Sequence, residues 1–63
     1  MLNKEDFGKY LEQMEAIEAA MIKVYSRCAL LAKSQDLKRV FLGLVDDENR
    51  HSRMIASLKG IFT

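Results

Sequence analysis

The chain has 63 residues, 49% of them hydrophobic, and ten Lys/Arg against nine Asp/Glu leave a formal charge of +1. One domain at most fits, and a core this small is marginal without a disulfide, a metal or a partner chain. The lone Cys28 excludes an intrachain disulfide, so a metal, an oligomer or both remain.

The charges are interspersed, with no basic stripe to meet a phosphate backbone, so no nucleic-acid partner is expected. The longest apolar runs, such as Cys28-Ala29-Leu30-Leu31-Ala32, fall far short of the roughly 20 residues of a membrane span. Met1-Leu2-Asn3-Lys4 leads into no apolar segment of the signal-peptide kind. A single cysteine fits a reducing compartment, and the expected location is the cytoplasm.

The absence of proline suits long uninterrupted helices, and no stretch alternates as a strand would. Asn3, three positions before Asp6, is a candidate N-cap for the first helix. Along that helix Phe7, Leu11, Met14, Glu18, Met21, Tyr25, Cys28 and Ala32 recur at intervals of four and three, a heptad seam. Tyr10, Ile17, Val24 and Leu31 run beside it. Lys9, Glu12, Gln13, Lys23, Arg27 and Lys33 lie opposite. Met14, Met21 and, in the second half, Met54 are expected as core fillers, and Cys28 as a small buried hydrophobe.

The polar stretch Lys33-Ser34-Gln35-Asp36 separates the halves, and Ser34 or Asp36 can cap the second helix. That helix repeats the spacing with Leu37, Phe41, Leu44, Glu48, His51, Ile55, Leu58 and Phe62. Val40 and Met54 flank this seam, while Arg39, Asn49, Arg50 and Arg53 face outward. The expected fold is all-α: a helix over about 4–33, a turn at 34–35 and a helix over about 36–60, forming an antiparallel hairpin across the single domain 1–63. Gly43 interrupts the second helix at a cost of about 1 kcal/mol relative to alanine.

Three polar residues interrupt the two seams. A buried charge is expensive unless it is paired or bound to a metal. Glu48 and His51 stand one turn apart on one helix face. Glu18 and His51 are equidistant from the Ser34–Gln35 junction, so the hairpin register brings Glu18 level with His51, about 25 Å from the turn. One hairpin then offers two carboxylates and one imidazole. Two hairpins related by a two-fold axis offer four carboxylates and two imidazoles, the ligand inventory of a di-iron or di-manganese carboxylate bundle.

Met14-Glu15-Ala16-Ile17-Glu18, Tyr25 and Asp46-Asp47-Glu48-Asn49-Arg50-His51 resemble the metal-binding pattern of the rubrerythrin and ferritin-like superfamily. In the spacing from Glu18 to Tyr25 and to Glu48 the chain most resembles the encapsulated ferritin-like proteins, two-helix chains that complete a di-iron ferroxidase centre across a subunit interface. The resemblance runs from about Met14 to Leu58. It implies Glu18 as a terminal ligand, Glu48 as a bridging ligand, His51 as a ligand of one metal, and two iron ions, with manganese or a mixed pair as variants. It further implies a homodimer or larger homo-oligomer forming a four-helix bundle, and in that family an enclosing shell. Encapsulated ferritins continue into a further helix and a shell-targeting tail, and rubrerythrins carry four ligand helices and often a rubredoxin module. Neither feature is found in this sequence, so the metal-site resemblance is closer than the resemblance to either whole protein.

Around the ligands, Tyr25 is a candidate redox or packing tyrosine near the metals. Asp47 is a candidate acceptor for a ligating histidine. Glu15 is expected in solvent, where it would draw cations toward the site. The expected activity is oxidation of Fe(II) or reduction of O₂ or peroxide, of ferroxidase or rubrerythrin-like peroxidase type. The alternatives are a non-catalytic helical-hairpin dimerisation module and a metal-binding accessory without turnover.

Overall fold

The computed structural model describes residues 3–62. The expectations at Met1, Leu2 and Thr63 and the seam position of the Phe62 side chain lie outside the described residues. The fold is all-α, with helix α1 at Lys4–Leu31 and helix α2 at Gln35–Phe62, packed as a hairpin 47 Å long.

The caps explain the boundaries. Asn3 has extended backbone, and its side chain accepts from the Asp6 amide at 2.8 Å, satisfying one of the donors that a helix start leaves open. Glu5 and Asp6 sit in the favourable first turn. The first helix ends two residues earlier than the periodicity predicts. Ala32 turns extended at ψ 133°, because the chain must reverse before the Ser34 hydroxyl can accept from the Leu37 amide at 3.1 Å. Ser34, not Asp36, therefore caps α2. The second helix continues through Gly60 to Phe62.

The interior is thin. Among the described residues only Leu11, Ala29, Ile55 and Glu48 are buried. Buried or half-buried residues recur at Leu11, Glu15, Glu18, Ile22, Tyr25 and Ala29 on α1, continuing to Ala32 at its C-cap, and at Phe41, Val45, Glu48, Ser52, Ile55 and Lys59 on α2, marking the sides on which the two helices pack. Both sets keep intervals of four and three.

Leu11, Glu18, Tyr25, Phe41, Glu48 and Ile55 lie inward as their spacing predicts, and other expected positions are corrected. Met14, Met21 and Met54 are exposed at 44%, 36% and 61%, so they do not fill the core of this hairpin. Cys28 is half-buried, and Leu37 is exposed. A second apolar seam explains them. Tyr10, Met14, Ile17, Met21 and Val24 each stand one position before an inward residue of α1, and Val40, Leu44, His51 and Met54 stand likewise on α2. One position is about 100° of helical turn. In antiparallel helices that same step points to the same side of the hairpin. The second seams therefore merge into one broad apolar face, uncovered in the single chain.

Gly43 does not serve close helix contact, since a Cβ added there would meet nothing within 4 Å.

Candidate metal centre

Glu18 is carried by α1, and Glu48 and His51 by α2. The hairpin brings the three together, with one ligand atom from each lying within 4.8 Å of the others. His51 Nδ1 is 3.6 Å from Glu48 Oε1 and 3.8 Å from Glu18 Oε2. These distances exceed hydrogen-bonding range, and they leave space among the three groups. The register argued from the turn is therefore the register observed.

Burial differs across the cluster. The side chains of Glu18 and Glu48 are 15% and 11% exposed, whereas His51 is 52% exposed. His51 is thus not buried within the seam, as its spacing predicts. It stands one position before the inward Ser52, at the rim where the contact between the helices opens onto the apolar face.

Electrostatics in the cluster are unfavourable for two ionised carboxylates. Glu18 Oε2 and Glu48 Oε2 are both buried without a hydrogen-bond partner. The neighbouring Glu18 carboxylate, which would accept from a protonated Glu48, pushes the pKa of Glu48 above 4.5, with burial and the Glu18 and Asp47 charges adding and His51 opposing. Placing a cation among the three groups would relieve the same repulsion, because carboxylate and imidazole donors suit Fe, Mn and Zn. The donor set therefore fits a metal ion.

The surrounding candidates are placed differently. Tyr25 is half-buried toward the turn and lines an open apolar groove with Ile17, Ala20, Met21 and Val24. Asp47 binds Arg50 within its own helix, so within one chain it does not serve His51. Glu15 is not left to solvent. It accepts from Lys59 Nζ at 2.8 Å across the two helices, one turn beyond Glu18. Glu12 adds to the negative field there, and Glu15 above all raises the pKa of Lys59 above 10.5. Sequence reasoning missed this cross-helix pair. Its signal was the inward position of Lys59, four after Ile55.

Family models, curated proteins and solved structures were each compared with the chain, and none matches. No helix among the described residues is long and apolar enough to cross a membrane.

Proposed function

We propose that the protein is a di-iron carboxylate protein that oxidises Fe(II), or reduces O₂ or peroxide, at a centre shared between two hairpins. The observation that carries this reading is the pair of buried, unpartnered carboxylate oxygens of Glu18 and Glu48 beside the Nδ1 of His51. Buried polar atoms normally find partners, and a bound cation would supply one for both. The resemblance to the encapsulated ferritin-like proteins supports iron as that cation.

A second copy on the apolar face would double the set to four carboxylates and two imidazoles, enough for two metals. A pair of Fe(II) ions bound there would give up one electron each to O₂ or peroxide. The chain's own part is to neutralise the ions with Glu18 and Glu48 and to set their positions with His51. The apolar residues of the face would keep water from the centre once a partner covers them.

The uncovered face also favours the second reading, a dimerisation module in which Glu18, Glu48 and His51 only fix register. The two readings part on turnover. Fe(II) is added anaerobically to the protein, and O₂ uptake is then followed for the wild type, Glu48→Ala and His51→Ala. Uptake above the rate of free Fe(II) in the wild type alone supports the oxidase reading. Bound iron without uptake leaves an accessory metal site, and neither leaves the dimerisation module.

A further inference from the structure

The charges of the chain separate when it folds. From Lys23 to Val45 the cations Lys23, Arg27, Lys33, Lys38 and Arg39 face a single acid, Asp36. The turn folds the end of α1 onto the start of α2, so these cations gather at one end of the hairpin. Every other acid lies outside that stretch. Asp36 already faces Arg39 at 3.6 Å. Among the described residues Lys23, Arg27, Lys33 and Lys38 form no ion pair.

Large apolar side chains are exposed at the same end. Leu30 is 72% exposed, Leu31 65%, Leu37 45% and Leu42 48%. Leu30 follows the inward Ala29, and Leu42 follows the inward Phe41, by one position. That step is about 100°, in the sense opposite to the step that carries Met21 and Val40. Leu30 and Leu42 therefore stand on the flank away from the broad apolar face, and they stay uncovered when a second copy covers that face. Arg27 and Lys38 each stand one turn before one of these leucines. Equal distance from the Ser34–Gln35 junction sets Arg27 level with Leu42 and Arg39 level with Leu30.

We propose that the turn end docks on an anionic phospholipid surface, with its leucines entering the interface and its cations meeting the headgroups. This surface is separate from the metal centre and does not depend on it.

Two features favour a bilayer over an acidic protein. The first is that the leucines stand on more than one side of the tip. Leu31 continues the apolar face, seven positions after Val24, while Leu30 and Leu42 lie on the opposite flank. A protein groove covers one side of such a tip, whereas a fluid interface closes round it. The second is depth. Leu30, Leu31 and Leu37 lie within about 7 Å of the turn by helical rise, and interfacial elements embed by about 5–10 Å. The long Lys and Arg side chains reach the headgroup layer while their stems cover the leucines. The polar tip is already partnered, since the Ser34 hydroxyl accepts from the Leu37 amide and Asp36 faces Arg39.

The test is co-sedimentation of the full, metal-free chain with vesicles of phosphatidylcholine, alone or with about one third phosphatidylglycerol. The chain binds the anionic vesicles and not the neutral ones, and about 0.5 M salt releases it. Each cation near such a surface strengthens binding about fivefold, so Arg27→Glu with Lys33→Glu weakens it by about 25-fold or more. Lys9→Glu with Arg53→Glu makes the same charge change away from the turn, and beyond a Debye length it weakens binding by less than about threefold. Leu30→Ser with Leu42→Ser weakens binding by about tenfold or more, with helicity by circular dichroism unchanged. Absence of binding to the anionic vesicles, equal loss in the two charge variants, or a helical leucine variant that binds as the wild type does overturns the proposal. So does polyglutamate or heparin bound as tightly as the vesicles and indifferent to the leucine substitutions, which would mark an acidic macromolecule as the partner. Because the assay holds no metal, its failure leaves the metal reading untouched.

Discussion

His51 Nδ1 lies 3.8 Å from Glu18 Oε2 across the two helices, with the whole turn region between them in sequence. The closeness follows from antiparallel register, because both residues are equally far from the Ser34–Gln35 junction. It places an imidazole beside two carboxylates that one chain leaves short of donors.

Those carboxylates predict an unusual pH dependence. The pKa of Glu48 is raised in the fold above its ordinary 4.5, so the folded state holds this proton more tightly than the unfolded chain. The contribution of Glu48 to stability is therefore greatest at low pH. It falls as pH rises from the unfolded value through the higher folded one. Thermal midpoints of metal-free protein should increase on acidification from neutrality toward pH 5, and Glu48→Gln should flatten that increase. A wild-type midpoint that falls monotonically over the same range contradicts this.

The alkaline side is governed by Lys59. Its pKa is raised above 10.5 by Glu15, so the pair contributes below that value and its contribution is lost as pH rises through the folded value. Lys59→Met should remove the part of the alkaline destabilisation seen above pH 10.5. Titration of helicity by circular dichroism measures it, and identical alkaline curves for the two proteins would contradict the assignment.

The two apolar seams should respond differently to substitution. Ile55 is 3% exposed, in the contact between the helices, so Ile55→Ala costs about 2–5 kcal/mol and unfolds the hairpin. Val24 is 58% exposed, so Val24→Asp changes the hairpin itself by only about 0.5 kcal/mol. It should abolish self-association because it buries an unpaired charge. Sedimentation equilibrium with circular dichroism separates the outcomes: helical monomer for Val24→Asp, loss of helix for Ile55→Ala.

Gly43 offers a gain. A Cβ there meets nothing within 4 Å, and the helix bears the entropy cost of glycine with no packing return. Gly43→Ala should stabilise the protein by about 1 kcal/mol in urea unfolding, without altering metal content.

The hairpin and the cluster were legible in the sequence because they depend on period and register alone. The spacing from Phe7 to Leu58 places two helices, and the turn midpoint fixes which residues of α1 and α2 share a level. What periodicity cannot resolve is which of two adjacent heptad seams faces the other helix. Met21 and Ile22, or Met54 and Ile55, are both apolar and differ by one position. The structure turns Ile22 inward and leaves Met21 outward, keeps Ile55 inward as its spacing predicts with Met54 outside, and sets His51 at the rim and not in the interior. The Glu15–Lys59 bond was hidden for another reason: both side chains are long, and such residues are ordinarily assigned to solvent. It is their inward position that makes them meet.

The most direct measurement is iron bound per chain after anaerobic loading with Fe(II) and desalting. With two metals per pair of hairpins, the wild type should retain about one iron per chain, and Glu48→Ala and His51→Ala should retain almost none while remaining helical. Wild-type protein that holds no iron, or variants that hold as much as the wild type, would contradict a metal centre built from Glu18, Glu48 and His51.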